Sequence, residues 1–331
     1  MMLDKYNREI DYLRVSITDR CNLRCVYCRP KEGISLHGHE DVLRYEEIIR
    51  VISLAVKMGL IKVRVTGGEP LVRRGFIEFI AALKKIKGLQ DISLTTNGIL
   101  LEEFAQNIFD AGIRRINISL DSLNKDKYFK ITRGGNLDAV LRGIVKAEEV
   151  GFSPIKINTV AIKGFNDDEA LDFARLAAEK PFQVRFIELM PVGPQENLDY
   201  GEDYMPAWQL IEKISRSYQL EPVKNRNKSD GPAKIFKIKN GRGELGFINP
   251  VSDHFCSTCN RLRLTSDGKL MACLLSEAEV DLKKALREKC SDAELEKIIW
   301  DAVLLKPKQH DLICTENILK KCTRNMSEIG G

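Results

Sequence analysis

Between residues 12 and 190 the chain repeats one pattern: a short β-branched run in which every second side chain is polar, followed by an amphipathic helical stretch. The spacing predicts strands over 13–18, 61–66, 91–96, 115–120, 155–161 and 183–189. Helices are predicted between them over 45–58, 76–85, 102–111, 137–150 and 167–178. Strands alternating with helices form a parallel sheet with the helices packed outside it. Six units fall short of a closed eight-unit barrel. The expected fold is therefore α/β: a partial (βα)6 TIM-like barrel over residues 1–190, with a C-terminal α+β extension over 191–331.

The strand registers restrict this further. One is apolar: Leu13, Val15 and Ile17; Ile61, Val63 and Val65; Ile92 and Leu94; Ile116, Ile118 and Leu120. The other is polar: Arg14, Ser16 and Thr18; Lys62, Arg64 and Thr66; Ser93, Thr95 and Asn97; Arg115, Asn117, Ser119 and Asp121. Successive side chains on a strand point to opposite faces, so the apolar register meets helices and the polar one faces a lumen. A barrel filled by its own side chains has branched residues there instead. The lumen is thus built for something large and polar. The sixth strand departs from the pattern, because Val184 and Phe186 share a register with Glu188 and Met190.

In the extension, residues 191–204 read as a linker or flap and 224–233 as a polar loop. A short helix is expected over 208–217, strands over 234–238 and 243–248, and helices over 276–289 and 292–304. The most apolar stretch, near 51–65, is broken by Lys57, Lys62 and Arg64 and is too short for a membrane span. The charged residues 1–9 carry no apolar leader, so a cytoplasmic protein is expected. A net charge of +5 suits a polyanionic ligand but is too small to suggest nucleic-acid binding.

Six of the nine cysteines fall in two triplets. Cys21, Cys25 and Cys28 stand as C-x3-C-x2-C in the loop after the first strand. Cys256, Cys259 and Cys273 stand as C-x2-C-x13-C. In a reducing compartment such clusters ligate metal rather than form disulfides. Soft thiolates suit an iron–sulfur cluster, and three of them on a four-iron cube leave one iron open. Zinc is the alternative at each triplet, with His37 or His39 completing the first and His254 the second. Cys290, Cys314 and Cys322 match no motif. Gly67–Gly68–Glu69–Pro70 ends the second strand: paired glycines permit close backbone approach, and a carboxylate can hold an ammonium group. Arg261 and Arg263, two apart in an extended segment, present both guanidinium groups to one side, where their forked donors suit phosphate.

The cysteine loop CNLRCVYC with the glycine motif RVTGGEP resembles the radical SAM superfamily. With SLTTNG, NISLD and the C-terminal C-x2-C-N-R-L-R-L-x8-C, the chain from Arg14 to its terminal glycines closely resembles the GTP 3′,8-cyclase family of molybdenum cofactor biosynthesis. The resemblance implies two [4Fe-4S] clusters and S-adenosylmethionine (SAM), whose cleavage yields a 5′-deoxyadenosyl radical. That radical takes the ribose 3′ hydrogen of GTP, and the 3′ carbon closes onto guanine C8. Tyr27, Gly68, Glu69, Ser119 and Met190 would contact SAM. Arg14, Arg64, Thr95, Lys156, Arg261 and Arg263, with the backbone of Leu262, would line the GTP site, and the second cluster's open iron would hold the guanine. The terminal Gly330–Gly331 would reach into the active site.

Partners implied in the same way are a flavodoxin or ferredoxin reductant and the cyclic pyranopterin monophosphate synthase that takes the product; a homodimer is compatible with it. A peptide-modifying radical SAM maturase is the enzymatic alternative, although such enzymes generally carry more C-terminal cysteines. A zinc protein that binds nucleic acid is the non-catalytic one.

Overall fold

The computed structural model describes residues 1–192, 198–223, 231–310 and 326–330. Gly331, Cys314 and Cys322, residues 193–197 of the expected linker and 224–230 of the expected loop lie outside the described residues.

Six parallel strands form the centre: β1 (Tyr12–Ser16), β2 (Lys62–Thr66), β3 (Asp91–Thr96), β4 (Arg115–Ser119), β5 (Ile155–Ala161) and β6 (Gln183–Glu188), paired in chain order. The C-terminal segment adds β7 (Leu220–Pro222), β8 (Lys234–Ile238), β9 (Glu244–Ile248), β10 (Arg261–Leu264), β11 (Lys269–Met271) and β12 (Glu279–Asp281). It flanks both edges of the barrel. Strand β10 lies parallel to β1 and β9 parallel to β6, and the twelve-stranded order runs β12-β11-β10-β1-β2-β3-β4-β5-β6-β9-β8-β7. The sheet does not close on itself, so a partial barrel is what forms.

The apolar register packs against the helices. Leu13, Val15, Val63, Val65, Leu94, Ile116 and Ile118 join one core with Ile48, Ile52, Phe79, Ile80 and Ile144 from helices Tyr45–Met58, Phe76–Lys84 and Leu137–Val150. Burying a side chain of this size contributes about 1.5–3 kcal/mol, so exchanging the two registers is heavily disfavoured. Strand β6 resolves its ambiguity by the same logic: Val184 and Phe186 are in the core, while Arg185 and Ile187 face the lumen.

Several expectations need correction. The expected helix over 276–289 is strand β12 followed by helix Leu282–Arg287, because 279–281 pair antiparallel with β11 and Lys269 bonds Asp281 at 2.6 Å. The stretch from 167 opens as a 3-10 turn, Asp167–Glu169, before helix Ala170–Glu179. Within the expected linker, Tyr200–Asp203 forms a helical turn capped by Asp199. Helix Lys125–Thr132, capped by Asn124, had no counterpart in the sequence reading.

Candidate active site

The polar register encloses a cavity of about 300 Å³ lined by both cysteine triplets. Its wall is set by strand register. Arg263, Arg14 and Arg64 stand opposite one another across β10, β1 and β2, and Arg261, Tyr12 and Lys62 form the neighbouring row. Like charges directly opposite on adjacent strands repel. Burial and the Arg263 charge hold the Arg14 guanidinium well below its ordinary pKa; burial and Arg261 lower that of Arg263 to about 10. Burial alone would raise the Tyr12 hydroxyl, but Arg64, Arg14, Lys62 and Arg261 together pull it below its ordinary value. On the opposite side Lys156 is brought down to about 6, first by burial and then by Arg185, Arg64, Arg115 and Lys62. The buried Tyr12 hydroxyl, Thr95 Oγ1 and Asn158 Oδ1 belong to residues lining the cavity and have no hydrogen-bond partner among the described residues. A lumen with cations crowded on its wall and unfilled polar atoms fits a polyanionic ligand.

Cys21, Leu23, Cys25 and Tyr27 alternate into the cavity, and Cys28 joins them. Burial, then Asp121 and the thiols of Cys28 and Cys21, push the Cys25 thiol well up. Such a group of thiols is relieved when a cationic metal centre displaces their protons, which leave to solvent. Among the described residues no three His, Cys, Asp or Glu side chains converge on a point where a single ion would sit. His37 and His39 do not line the cavity, and the His37 backbone N–H donates to Asp19. Tyr27 donates a 2.6 Å hydrogen bond to Asp121, whose other oxygen accepts from the Val160 N–H. Asp121 is raised to about 6, mainly by burial.

The glycine motif sits against the cysteine loop. The Gly68 N–H donates to the Thr18 carbonyl at 2.6 Å and the Glu69 N–H to the Arg20 carbonyl at 2.8 Å. A Cβ on Gly67 would lie 2.6 Å from the Thr18 oxygen, and one on Gly68 would overlap the Arg20 carbonyl. The close approach these glycines permit is therefore to the cysteine loop itself. Glu69 accepts from Thr96 Oγ1, the Asn97 N–H and the Leu71 N–H. Burial nevertheless raises it to about 7, and a cation brought beside it would restore its charged form. Ser119 and Met190 line the cavity at the C-terminal ends of β4 and β6.

Across the cavity stand Cys256, Cys259 and Cys273, with His254 and His310 beside them. Burial pushes the Cys259 thiol up, but Arg261 and Lys306 outweigh it and bring the thiol to about 6. Lys306, buried, donates 2.7 Å bonds to the carbonyls of Arg261 and Ala272. Arg8, held by Asp4 at 2.5 Å, donates to the carbonyls of Cys256, Pro307 and Lys308. His310 meets the Pro250 carbonyl at 2.7 Å and stands edge-on to His254. The Leu262 side chain is in the core, which leaves its backbone for contact.

Near the end of the described chain, Gly330 is buried and its carbonyl accepts a 2.8 Å bond from Arg263. Lys156 is buried on the lumen register of β5, one step from Asn158. Sequence reasoning missed Arg185, Asn158, Lys306 and His310 as site residues, and placed Tyr12 in no role. Asn158 was findable from alternation on β5, whereas the mixed registers of β6 hid Arg185. Lys306 and His310 lie beyond any local pattern. Among the described residues no helix is long and apolar enough to cross a membrane.

Residues 15–177 match the radical SAM superfamily, and residues 182–312 match the family described as Molybdenum Cofactor Synthesis C. A GTP 3′,8-cyclase of Moorella thermoacetica is 50% identical over 330 residues, covering 100% of both chains. One from Alkaliphilus oremlandii is 48% identical with the same coverage. Among solved structures, Streptococcus suis SuiB bound to S-adenosylmethionine shares the fold at a TM-score of 0.57 and 15% identity, over 85% of this chain and 67% of that one. Full-length relatives at this identity leave no ambiguity of family. The chain belongs to the GTP 3′,8-cyclases, within the radical SAM superfamily.

Proposed function

We propose that this chain carries two [4Fe-4S] clusters in one cavity and uses SAM to convert GTP into 3′,8-cyclo-7,8-dihydro-GTP. The observation that carries the reading is the row Arg263–Arg14–Arg64, three guanidinium groups side by side between two cysteine triplets. Such a row is costly when empty and favourable around a triphosphate, whose oxygens accept forked donors. When bound, the first cluster and SAM supply the 5′-deoxyadenosyl radical that takes the ribose 3′ hydrogen.

The protein's own residues do the holding. Glu69, oriented by Thr96, Asn97 and Leu71, binds the ammonium of the cofactor. Gly68, Ser119, Met190 and Tyr27 enclose the rest of it. Arg14, Arg64, Lys156, Arg261 and Arg263 hold the nucleotide, with Thr95 Oγ1 and the Leu262 backbone filling hydrogen bonds. To these we add Lys62, Arg185 and Asn158. The base is directed to the second triplet, away from Lys156 and Arg185. Gly330 closes the cavity on the Arg263 side, and the terminal glycine pair serves cyclisation. We place the chain in the cytoplasm, with a flavodoxin or ferredoxin as electron source, a homodimer as a compatible assembly, and cyclic pyranopterin monophosphate synthase as the consumer of its product.

Anaerobic reconstitution with iron and sulfide, then incubation with GTP, SAM and a chemical reductant, tests the reading. It expects 5′-deoxyadenosine together with a product convertible to a pterin. Zinc in place of iron, or GTP returned unchanged beside cleaved SAM, would refute it.

A further inference from the structure

The cysteine loop is two-faced. Cys21, Leu23, Cys25 and Tyr27 line the cavity, whereas Arg24, between them, is exposed and does not; Asn22 turns back to Asn97 at the cavity rim, bonding it at 2.7 Å. The loop is laid along the end of helix Lys125–Thr132: the Arg24 N–H donates to the Thr132 carbonyl at 3.1 Å and the Val26 N–H to the Ile131 carbonyl at 2.9 Å. Arg133 ties the two together, donating 2.8 Å to the Arg29 carbonyl and 3.4 Å to that of Arg24. The outer side of the first triplet and the end of this helix are therefore one surface.

That surface is basic. Arg24, Lys31 and Lys130 are exposed and form no ion pair among the described residues. Lys125 and Lys127, further along the helix, are already neutralised by Asp138 and Asp168 at 2.7 and 2.6 Å. Glu32 and Asp126 are the acids in these two segments. Phe129, next to Lys130 on the same helix, is 60% exposed and offers an apolar contact.

We propose that this face docks a small acidic protein that carries one electron. The proposal rests on the first triplet holding the cluster, as argued above. The donor loses one electron and the cluster gains it; no atom moves. Nucleotide and cofactor occupy the inner side of the loop, so the outer side is where a protein donor approaches the sulfurs. Uncompensated charge around a small apolar contact suits a brief encounter: redox complexes bury less than about 1,200 Å², and their association is steered by charge.

The test uses the reconstituted full chain and two reductants in stopped flow, reduced flavodoxin and reduced methyl viologen, the latter a small cation. Arg24→Glu with Lys130→Glu is expected to slow reduction by flavodoxin by about tenfold or more at low salt. Salt should slow the unsubstituted chain more than the variant, methyl viologen should reduce both at least equally fast, and Arg24→Lys with Lys130→Arg should behave as the original.

Unchanged flavodoxin rates overturn the proposal. Equal slowing with both reductants also overturns it, because it marks damage to the loop. A change in oligomeric state in the variant would show instead that a second copy covers this face. If methyl viologen bleaches no cluster in the unsubstituted chain, the site reading itself fails; bleaching there without a variant effect sinks only the docking face.

Discussion

The Arg263 guanidinium donates a 2.8 Å hydrogen bond to the carbonyl of Gly330, fixing the chain terminus to the same strand that carries the second triplet's arginines. Gly330 has φ of 84°, and a Cβ there would lie 2.5 Å from Thr66 Cγ2 and 3.1 Å from Ser16 Cβ. Gly330→Ala is therefore strained twice. It should lower cyclisation by at least about fivefold, from 1–3 kcal/mol of backbone strain. Iron content and 5′-deoxyadenosine formation should remain. Product assay beside iron analysis checks this, and full cyclisation would show that the tail is a bystander.

Glu69→Gln removes a charge from a site that already holds three hydrogen bonds to the carboxylate. SAM affinity should drop by about tenfold or more, since a charge-assisted hydrogen bond contributes roughly 1.5–3 kcal/mol. Iron in both clusters should be unaffected. Equilibrium dialysis with labelled SAM separates this from a folding defect, which would lower the iron as well.

Lys156 sits at about 6 rather than its usual value near 10.5, because burial and four neighbouring cations disfavour its charged form. Above that pH it is neutral in the free protein. A polyanion stabilises the charged form, so GTP binding must recruit a proton, and affinity should fall as pH rises from about 6. Calorimetry in buffers of different ionisation enthalpy should report proton uptake near pH 7.5–8, roughly the middle of the lysine's shifted range. Lys156→Met should abolish it. The same shift affects folding: between about 6 and 10.5 the unfolded chain binds more protons at this site, so its contribution to stability rises with pH.

Replacing Cys21, Cys25 and Cys28 together by Ala should halve the iron and abolish SAM cleavage. Replacing Cys256, Cys259 and Cys273 should also halve the iron, while SAM is still cleaved without cyclisation. Metal analysis and product assay distinguish the two. Zinc that leaves with either set would contradict the cluster assignment.

Asp4→Ala leaves the buried Arg8 guanidinium without its carboxylate, a change that costs about 3–5 kcal/mol for a buried pair. Arg8 also grips the Cys256 carbonyl, so the second cluster should lose iron before the first. Denaturant unfolding followed by visible absorbance should reveal the order. Equal loss from both clusters would count against the coupling.

The centre of the fold was legible because its strands obey one period. Arg14, Arg64 and Thr95 belong to the polar register, and Arg14 and Arg64 stand opposite one another across β1 and β2. Where the period blurred, the reading weakened. On β6, Arg185 was overlooked because the flanking Val184 and Phe186 share their register with polar Glu188, so neither face looked like a lumen.

The 276–289 stretch read as a helix since nothing local announces that Glu279–Asp281 finds β11. Helix Lys125–Thr132 escaped because, of its eight residues, only Tyr128, Ile131 and Thr132 are buried. The supports of the second triplet join residues far apart in sequence, Arg8 with Cys256 and Lys306 with Arg261. No window along the chain contains both members of such a pair.

Because β10 zips onto β1 and β9 onto β6, the C-terminal third stitches both margins of the parallel sheet. A fragment stopping near residue 190 would bare two rows of unpaired amides and carbonyls, each a template for sticking to its neighbour. The molecule is better divided by substitution than by scissors: its halves share their hydrogen-bond ladders, and neither would be soluble for long without the other.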